Sequence, residues 1–377
     1  MTGGNTAIVG AATFGIGQCP GYSSLELAAK AGLLALRDAG IALHDVDGLW
    51  ICLPDDMFAG LSFAEHLGIR PRFTDCNRTG GSAGVSHLIT AALALDAGLC
   101  DVALLAFGSN QRSGGGGLLT PARPSGYEAP FKPLFPASAY ALAASRHMHE
   151  YGTTREQLAA VAVSARAWAN SNPEAFAKGP LSIEDCLASR MISDPLAKSD
   201  FCLTTDGAAA IVLTRSDRAR DTNRLPIRLM GAAAATWHHH ISAMPDLTVT
   251  AAAESGPRAL DQAGVAVSDI DVVQLYDAFT INTVLFLEDL GFCRKGEGGP
   301  FAASGAIAPG GSLPVNTNGG GLSCVHPGMY GLFALVEGVR QLRGDAANPI
   351  AGAELALVHT NGGSLSSQAT AILGRLA

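Results

Sequence analysis

Residues 36–51 read LRDAGIALHDVDGLWI, and residues 260–275 read LDQAGVAVSDIDVVQL. The two stretches align without a gap, and six of their positions carry the same residue. Each stretch predicts the end of a helix capped by a glycine, Gly40 or Gly264, followed by a short D-x-D turn and a buried strand. The chain therefore contains an internal repeat, and the expected fold follows from it.

The repeat continues in the same order downstream of both stretches. NRTGG at 77–81 corresponds to NTNGG at 316–320, and each is followed by an apolar helical pattern and then a strand, DVALLAFGSN at 101–110 or ELALVHTNGG at 354–363. Alternating helices and strands predict mostly parallel sheets with helices on their faces. We interpret the chain as a duplicated α/β core with a pseudo-two-fold axis. The two N-x-x-G-G turns are expected to meet near that axis and form the functional site.

The repeat divides the chain into an N-terminal half, residues 1–224, and a C-terminal half, residues 225–377. The N-terminal half includes an insertion at about 111–200, which contains Gly/Pro-rich loops and helical patterns. We expect this insertion to be a lid or loop domain that covers the substrate.

The composition argues against several classes of function. The formal net charge of −8 and the pI near 5.7 argue against nucleic acid or an anionic membrane as the main partner. No apolar stretch reaches the roughly 18 residues of a membrane span, and the first residues lack the pattern of a signal peptide. The eight cysteines have no C-x-x-C spacing. We therefore expect a cytoplasmic protein with free thiols and no metal site.

Three segments of the second half carry a family likeness: YDAFT at 276–280, NTNGGGLSCVHPGMYG at 316–331 and HTNGG at 359–363. Together with SDFCLTTDGAAAIVLT at 199–214, they resemble the thiolase superfamily, and within it the sterol-carrier-protein-type branch. The resemblance covers nearly the whole chain. It implies the five-layered αβαβα thiolase fold with two pseudo-symmetric halves, a homodimer, and coenzyme A thioester substrates. It implies no permanently bound cofactor, because coenzyme A arrives as part of the substrate.

The sequence departs from the family pattern at both catalytic cysteines. Thiolases place a nucleophilic cysteine in N-x-x-C-x-S-G, and Gly80 occupies its position in the matching segment 77–83. The second cysteine, a proton shuttle in C-x-G-G, is replaced by the T-N-G-G segment at 360–363. His326 keeps the histidine of the family's G-H-P motif. Covalent acyl transfer by the usual route needs a thiolate, and these positions do not supply one.

Two other thiols remain candidates for a nucleophile. Cys76 precedes the first Gly-rich turn by four residues, and we interpret it as a structural cysteine on or near a strand end. Cys324 lies two residues before His326, where the family has a small residue or a cysteine, and it is the better rival. A thiolase-type acyltransferase that uses Cys324 or an unaligned thiol is therefore an alternative function.

An enzyme that only stabilises a thioester enolate needs no cysteine, because an oxyanion hole can hold the charge while aldol chemistry makes or breaks a carbon–carbon bond. It does need a proton acceptor for a β-hydroxyl and a proton donor for the α-carbon. Tyr276 replaces the first residue of the family's N-E-A-F or H-D-A-F motif, and Tyr330 lies four residues after His326. The ordinary pKa of a phenol is about 10, so either tyrosine needs help from the site to act as a base.

The cysteine-less pattern resembles one subgroup of the superfamily, the steroid side-chain aldolases. These enzymes cleave a β-hydroxyacyl-CoA to a ketone and a shorter acyl-CoA, and tyrosines are implicated as acid and base. We therefore predict a carbon–carbon lyase that uses Tyr276 and Tyr330, with their order as base and acid left open, and His326. The resemblance also implies a small partner with an OB fold and a zinc ribbon. A third interpretation is a non-catalytic acyl-CoA- or lipid-binding subunit.

The substrate-binding residues are expected in the three Gly-rich turns. They are Gly80, Gly81 and Ser82 in the first turn, Asn318 in the second, and Asn361 and Gly362 in the third. The W-H-H-H segment at 237–240 is interpreted as a loop, with a substrate-lining role as the alternative to a plain exposed turn. Three consecutive histidines cannot all face one way on a helix or strand, so a metal site is not favoured there.

Overall fold

The computed structural model describes residues 5–115, 126–219 and 222–376. Within these ranges the strands are β1 (Thr6–Gly17), β2 (Gly48–Cys52), β3 (Phe73–Asp75), β4 (Val102–Ser109), β5 (Met191–Ser193), β6 (Leu196–Ala197), β7 (Asp206–Arg215), β8 (Ile227–Thr236), β9 (Val272–Leu275), β10 (Leu355–Gly362) and β11 (Ser367–Arg375).

The helices of the same ranges are α1 (Ser24–Ala39), α2 (Ala59–Leu67), α3 (Ala83–Asp96), α4 (Ala137–Tyr151), α5 (Arg155–Ser171), α6 (Ile183–Ala188), α7 (Ala252–Ala263), α8 (Thr280–Asp289), α9 (Gly298–Ala303) and α10 (Gly331–Arg343). Among these helices, none is both long enough and apolar enough to cross a membrane.

Nine strands form one continuous sheet in the order β3-β2-β4-β7-β1-β8-β11-β10-β9. The two halves of the chain join where Ala7 and Ile8 of β1 pair antiparallel with Arg228 and Ile227 of β8. On either side of this junction two antiparallel pairings lead to a parallel pair, β4–β2 in the first half and β10–β9 in the second. Equivalent strands therefore hold equivalent places, which confirms the predicted pseudo-symmetric halves.

Helices α3 and α10 form the middle layer of the molecule. They contact each other and strands of both halves of the sheet, whereas α1 packs against β1, β4 and β7 and α7 packs against β8 and β11. The largest buried cluster lies around the middle helices and includes Trp50, Phe107 and Phe333. The two halves of the continuous sheet form two layers, and together with the two outer helical layers and this central pair they give the five-layered αβαβα arrangement that the resemblance implies.

Both copies of the repeat adopt the predicted conformation. The glycines after α1 and α7 take left-handed backbone angles, with φ of 72° at Gly40 and 69° at Gly264. A residue without a side chain adopts such angles at little cost. The chain then turns into β2 and β9, which sit at matching places in the two halves. The boundary predicted between residues 224 and 225 falls between β7 and β8 and stays a prediction.

The insertion predicted at about 111–200 holds α4, α5, α6 and the small hairpin β5–β6. Helices α4 and α5 contact α8, and α5 also contacts the turn Gly320–Cys324. The insertion therefore lies against the C-terminal half, beside the second Gly-rich segment. Gly116 and Gly117 of the GGGG stretch lie outside the described residues, and the lid role of the insertion stays a prediction.

Candidate active site

The first and third Gly-rich turns meet beside a cavity of about 800 Å³. Gly80 and Gly81 line the cavity from the first turn, and Asn361 and Gly363 line it from the third. A Cβ atom built on Gly80 would lie 2.9 Å from the amide nitrogen of Gly363, so the two turns are in contact. The cavity wall therefore includes Gly80, at the first position where thiolases carry a cysteine, and Asn361, the residue after the second such position.

The second Gly-rich turn, residues 316–320, lies behind this wall, so the expectation that it forms the site with the first turn is wrong. The N–H groups of Gly321 and Leu322 donate to the carboxylate of the buried Asp277, at 2.6 and 3.3 Å, and they hold this segment away from the cavity. Burial raises the pKa of Asp277 to about 6. The residues that follow, including His326 and Gly328, line the cavity instead.

Two of the predicted catalytic side chains meet in the cavity wall. Tyr276 follows directly after β9, and its phenol oxygen lies 3.0 Å from Nε2 of His326. The two rings are nearly perpendicular, with their centroids 5.5 Å apart. The backbone N–H of His326 donates to the hydroxyl of Thr205, which anchors the histidine from the strand side. Both residues are buried but line the cavity, so a bound molecule reaches them.

Burial keeps both members of this pair uncharged near neutral pH. It lowers the pKa of His326 to about 4 and raises the pKa of Tyr276 well above 10. A neutral imidazole has one N–H and one acceptor nitrogen. With the proton on Nδ1, Nε2 of His326 accepts from the Tyr276 hydroxyl, and the phenol oxygen keeps its lone pairs for a substrate hydroxyl.

Tyr330 is placed behind Tyr276 and does not line the cavity. Its ring is fully buried, 5.9 Å from the ring of Tyr276, and its hydroxyl donates to Oδ1 of Asn318 at 3.0 Å. The same oxygen of Asn318 accepts from the N–H of Gly320. Neither side chain lines the cavity, so the predicted acid–base role of Tyr330 and the predicted substrate-binding role of Asn318 do not fit the structure. Tyr330 directly precedes α10, which begins at Gly331 in the middle layer.

Ser82 and Gly362 hold the two cavity turns together, and neither lines the cavity. The hydroxyl of Ser82 donates to the carbonyl oxygen of Thr79 at 2.8 Å and lies 3.0 Å from Oγ of Ser367. A Cβ atom on Gly362 would lie 1.7 Å from the Thr79 carbonyl oxygen, so only glycine permits this approach. Their predicted contact with substrate is therefore corrected to a role in the packing of one turn against the other.

The backbone amides of the two turns form a candidate oxyanion hole. The N–H groups of Gly80, Gly81 and Gly363 have no hydrogen-bond acceptor among the described residues, and all three residues line the cavity. Gly80 has φ of 71°, a left-handed conformation that glycine adopts readily. Unpaired backbone donors beside a closed cavity stabilise negative charge on a bound oxygen. The predicted role of Gly80 and Gly81 as oxyanion donors stays a prediction.

The insertion contributes a tyrosine that the sequence analysis did not single out. Tyr140 of α4 lines the cavity, with its ring stacked on Phe279 at a centroid distance of 4.0 Å. Its hydroxyl donates to the carbonyl oxygen of Gly363 at 2.8 Å and accepts from Nδ2 of Asn361 at 2.9 Å. Burial raises the pKa of Tyr140 to about 12. Tyr140 occupies a buried position of a helix, as many core tyrosines do, so no sequence pattern distinguishes it.

Gln111, just after β4, is a second cavity residue without a sequence signal. It is only 4% exposed, and its Oε1 has no hydrogen-bond partner among the described residues. A Cβ atom on Gly328 would lie 2.6 Å from this oxygen, so the carboxamide packs against the segment that carries His326. A buried polar group without a partner costs about 1–3 kcal/mol, and such groups concentrate at binding sites.

The thiols do not provide the nucleophile that the alternative function expects from Cys324. Cys324 is buried away from the cavity, with its sulfur 3.5 Å from Nδ2 of Asn172, and burial raises the pKa of its thiol. Cys76 is half-buried and packs against the cluster beneath α1, in agreement with a structural role. Cys202 does line the cavity, but burial raises its pKa as well.

The histidine segment reaches the cavity mouth. His239 and His240 line the cavity, in agreement with the substrate-lining alternative, whereas Nε2 of the buried His238 donates to the carbonyl oxygen of Ser364 at 3.0 Å. In the part of the chain that the structure describes, no three metal-binding side chains come together as a metal site. The candidate site therefore consists of a tyrosine–histidine pair, backbone amides and uncharged polar groups.

Comparison with known proteins identifies the family. Residues 233–375 match the family model described as thiolase C-terminal domain-like. The chain is 37% identical to a 17-hydroxy-3-oxo-4-pregnene-20-carboxyl-CoA lyase of Mycobacterium tuberculosis, with 95% of this chain and 96% of that protein covered. It is 33% identical to an acetyl-CoA acetyltransferase of Methanothermobacter thermautotrophicus, with 98% and 100% covered.

A solved structure agrees over the same length. The Ltp2-ChsH2(DUF35) aldolase is 33% identical, covers 99% of this chain and 98% of its own, and superimposes with a TM-score of 0.91. Sterol carrier protein 2 of Bos taurus matches a shorter part, 58% of this chain. The resemblance inferred from the motifs is confirmed, and the chain belongs to the thiolase superfamily of enzymes, in the group of steroid side-chain aldolases and sterol-carrier-protein-type thiolases.

Proposed function

We propose that the protein is a thiolase-fold carbon–carbon lyase that cleaves a β-hydroxyacyl-CoA thioester by retro-aldol chemistry, without a cysteine nucleophile. The contact between the Tyr276 hydroxyl and Nε2 of His326 carries this proposal. It lies in the wall of a cavity whose first turn has Gly80 in place of the thiolase cysteine. The similarity to a CoA lyase and to an aldolase over nearly the whole chain supports the same reaction.

The first step moves a proton away from the substrate. The β-hydroxyl donates to the phenol oxygen of Tyr276, and Tyr276 donates to Nε2 of His326. As the β-carbon–oxygen bond becomes a carbonyl, the hydroxyl proton passes to Tyr276 while the tyrosine's own proton passes to His326. This coupled transfer of two protons avoids a free tyrosinate, which burial disfavours. The negative charge that develops on the substrate favours the imidazolium, because opposite charges a few ångströms apart raise the pKa of a histidine.

The second requirement is a place for the electrons of the broken carbon–carbon bond. These electrons move through the α-carbon to the thioester carbonyl and form an enolate. The N–H groups of Gly80, Gly81 and Gly363 would donate to its oxygen, together with Nδ2 of Asn361. One such donor is worth about 3 kcal/mol in the transition state. The enolate then needs no covalent link to the protein.

The last step returns the proton. His326 gives its proton to Tyr276 while Tyr276 gives one to the α-carbon, so the pair ends in its starting state. The products are a ketone or aldehyde and a shorter acyl-CoA, and every proton taken from the substrate is restored. One tyrosine then serves both directions of transfer. This assignment replaces the open division of roles between Tyr276 and Tyr330, whose hydroxyl is bound to Asn318.

We also propose partners and a location for this chain. The similar solved structure is a Ltp2-ChsH2(DUF35) aldolase, and we propose a corresponding small partner with an OB fold and a zinc ribbon, a homodimeric catalytic chain, and a cytoplasmic location. Tyr127 and Phe131 are 88% and 85% exposed, and Phe135 of the same segment lines the cavity. Exposed apolar side chains beside a cavity mouth favour a contact surface there. Coenzyme A enters only as part of the substrate, and no permanently bound cofactor is proposed.

The test uses a panel of β-hydroxyacyl-CoA and β-ketoacyl-CoA esters, with and without the partner. Mass spectrometry of the same tubes detects adducts on the intact protein and released products. We expect a ketone or aldehyde and a shorter acyl-CoA from the β-hydroxy esters only, with no adduct. Cleavage of β-ketoacyl-CoA esters with a stable acyl adduct on the protein would overturn the proposal.

A thiolase-type acyltransferase remains the second candidate because one thiol, Cys202, lies in the cavity wall, and because an acetyl-CoA acetyltransferase is among the relatives. The raised pKa of Cys202 disfavours the thiolate that this reaction needs. An acyl adduct that disappears in Cys202→Ser would establish it. A non-catalytic acyl-CoA- or lipid-binding subunit, the third candidate, would bind the esters and release no product from any of them, with or without the partner.

A further inference from the structure

A buried chain of hydrogen bonds runs from the cavity wall into the C-terminal half. Its side chains, in order from the cavity, are Tyr140, Asn361, Gln368, His359, Thr370 and Ser255. Each is at most 2% exposed, and the five side-chain contacts measure between 2.8 and 3.0 Å. We call these six side chains the relay. The proposed function gives a role to only one of them, Asn361.

The carbonyl oxygen of Gly363 sets the direction of every bond in the relay. This oxygen can only accept, so the Tyr140 hydroxyl, 2.8 Å away, donates its single proton to it. Asn361 must then present its Nδ2 to the phenol oxygen and its Oδ1 to its other neighbour. Gln368 in turn donates from Nε2 to that Oδ1 at 2.9 Å. The orientation of both carboxamides follows from proton counting.

The same argument determines the tautomer of His359. Oε1 of Gln368 is an acceptor, so Nε2 of His359 carries the proton and donates to it at 3.0 Å. Nδ1 of His359 therefore accepts from the Thr370 hydroxyl at 2.8 Å, and the Thr370 oxygen accepts from Ser255. Burial lowers the pKa of His359 to about 3, so it stays neutral with one N–H. A cationic ring would donate from both nitrogens and oppose the Thr370 hydroxyl.

We propose that Gln368 and His359 are positioning residues that hold the Asn361 carboxamide with its nitrogen toward the cavity. The second N–H of this nitrogen then donates to the thioester oxygen of the substrate. This inference rests on the proposed function. The first Nδ2 hydrogen goes to Tyr140, and the second has no acceptor among the described residues. Without the relay, the amide can turn and present an oxygen, which repels an enolate. The relay thus makes Asn361 a donor throughout the reaction.

The common direction of the hydrogen bonds in the relay also makes the Nδ2 group of Asn361 a stronger donor. Each group donates in the same direction, from Ser255 toward Gly363, and hydrogen bonds aligned in this way polarise one another in a low-dielectric interior. Gln368 donates to Oδ1 of Asn361, which draws electron density away from the Asn361 nitrogen and makes its N–H groups better donors. The effect of His359 on the cavity, two side chains away, is therefore expected to have the same sign as that of Gln368 and a smaller size.

The first arm of the test needs no substrate. Gln368→Met keeps the size of the side chain and removes both relay bonds, and Tyr140→Phe removes the hydroxyl at the other end. If the relay exists, the double variant loses less in Tm than the sum of the two single losses, because the bond from Asn361 to Tyr140 is already weaker once Gln368 no longer donates to Oδ1 of Asn361. Gln341→Met is the matched control: Gln341 is fully buried and hydrogen-bonded in a separate cluster with Thr317 and Glu337. Its loss should add to that of Tyr140→Phe.

The second arm measures the hydrogen bond to the thioester directly. A saturated acyl-CoA, labelled with ¹³C at the thioester carbonyl, cannot undergo cleavage, and its carbonyl stretch moves to lower wavenumber when donors bind the oxygen. We expect this shift in the wild-type complex, a smaller shift in Gln368→Met and Asn361→Ala, and the wild-type shift in Gln341→Met. His359→Phe keeps a ring beside Phe286 and provides a second relay variant if Gln368→Met does not fold.

The outcomes separate this inference from the lyase proposal. Additive Tm losses for Gln368→Met and Tyr140→Phe would overturn the relay. An unchanged carbonyl stretch on binding, or a full shift in Asn361→Ala, would overturn the donor role of Asn361. If the stretch shifts as expected and no β-hydroxyacyl-CoA yields a ketone or aldehyde, the positioning role stands and the lyase function fails.

Discussion

Gly81 lies so close to Tyr276 that a Cβ atom at position 81 would be 2.2 Å from Cε2 of the phenol ring and 2.4 Å from Cζ. The tyrosine therefore fills the space directly beside the turn in which Gly80 replaces the thiolase cysteine. Gly81 makes this contact, whereas a Cβ atom on Gly80 would meet the backbone of Gly362 and Gly363. A large side chain at the end of β9 therefore requires a glycine at position 81.

Gly81→Ala is therefore expected to displace the ring of Tyr276. The ring cannot stay 2.2 Å from a methyl group, and the methyl group would also lie 2.5 Å from the backbone oxygen of Asn361, so the phenol is displaced from its contact with His326. Since a misplacement of about 1 Å can cost about 100-fold in rate, kcat/KM for the β-hydroxyacyl-CoA should fall at least that far. Gly32→Ala is the control, because Gly32 is buried in α1 without a left-handed φ and a Cβ there would meet nothing closer than 3.4 Å. Full activity in Gly81→Ala would contradict the proposed role of the pair.

Tyr276→Phe and Tyr330→Phe should have opposite effects on activity and stability. The first removes the hydroxyl that contacts His326 in the cavity, and kcat should fall by about 1,000-fold, as is usual for loss of a general acid–base group, with little change in acyl-CoA affinity. The second removes a bond to Asn318 behind the wall. It should lower stability by about 1 kcal/mol and leave kcat within about threefold. Steady-state kinetics and thermal unfolding measure both, and the reverse pattern would make Tyr330 the acid–base residue.

The pH profile should differ from that of an ordinary histidine base. His326 accepts a proton only when neutral, and its pKa is lowered to about 4, so kcat/KM should fall only as the pH drops through that region. Tyr276 has its pKa raised well above 10, so no loss is expected on the alkaline side up to about pH 9. Kinetics from pH 5 to 9 should therefore give a plateau.

Acid stability sets the lower limit of that experiment. The folded-state pKa of His326 is depressed below its ordinary value of 6.5, so its contribution to stability is present above pH 6.5 and is lost as the pH falls toward 4. Asp277 acts in the opposite sense, because its raised pKa of about 6 means that stability is lost as the pH rises through that value. Unfolding followed at each pH distinguishes loss of fold from loss of activity. An apparent pKa near 6.5 in kcat/KM, with the fold intact, would argue against His326 as the proton acceptor.

Gln111→Met should stabilise the unliganded protein and weaken acyl-CoA binding. It replaces a buried oxygen without a partner by an apolar side chain of similar shape, which we expect to raise stability by about 1 kcal/mol. We expect Oε1 of Gln111 to accept a hydrogen bond from the substrate, so Kd for acyl-CoA esters should rise about tenfold in Gln111→Met. Gln274→Met is the control, because Gln274 is fully buried with an unpaired Oε1 but does not line the cavity. Equal Kd values for Gln111→Met and the wild type would leave Gln111 without a binding role.

The fold and part of the site were predictable because they depend on local signals. The glycine caps at Gly40 and Gly264 and the D-x-D turns after them follow from neighbouring residues alone, and their repetition implied two similar halves. The motif positions of Tyr276 and His326 were equally local, since one ends a strand and the other follows a Gly-rich turn. Their contact at 3.0 Å agrees with the motif reasoning.

Spacing along the chain misled where the direction of a side chain mattered. Tyr330 lies only four residues after His326, yet it is turned into the helical layer between the two halves of the sheet, where its hydroxyl donates to Asn318. Ser82 follows two cavity-lining glycines, yet its hydroxyl bonds to the turn itself. In each case the backbone path just before a helix sends neighbouring residues to opposite sides of the wall, and no composition or periodicity reports that path.

The duplicated α/β core, the loss of both thiolase cysteines and the motif positions of Tyr276, His326 and Asn361 follow from the order of residues along the chain. The packing of distant segments adds two polar groups to the cavity wall that no motif marks, Tyr140 from the insertion and Gln111 after a strand of the first half. Packing also sets the direction of the hydrogen bonds from Gln368 to His359, because Asn361 is held at the cavity end by Tyr140, 221 positions away in the chain.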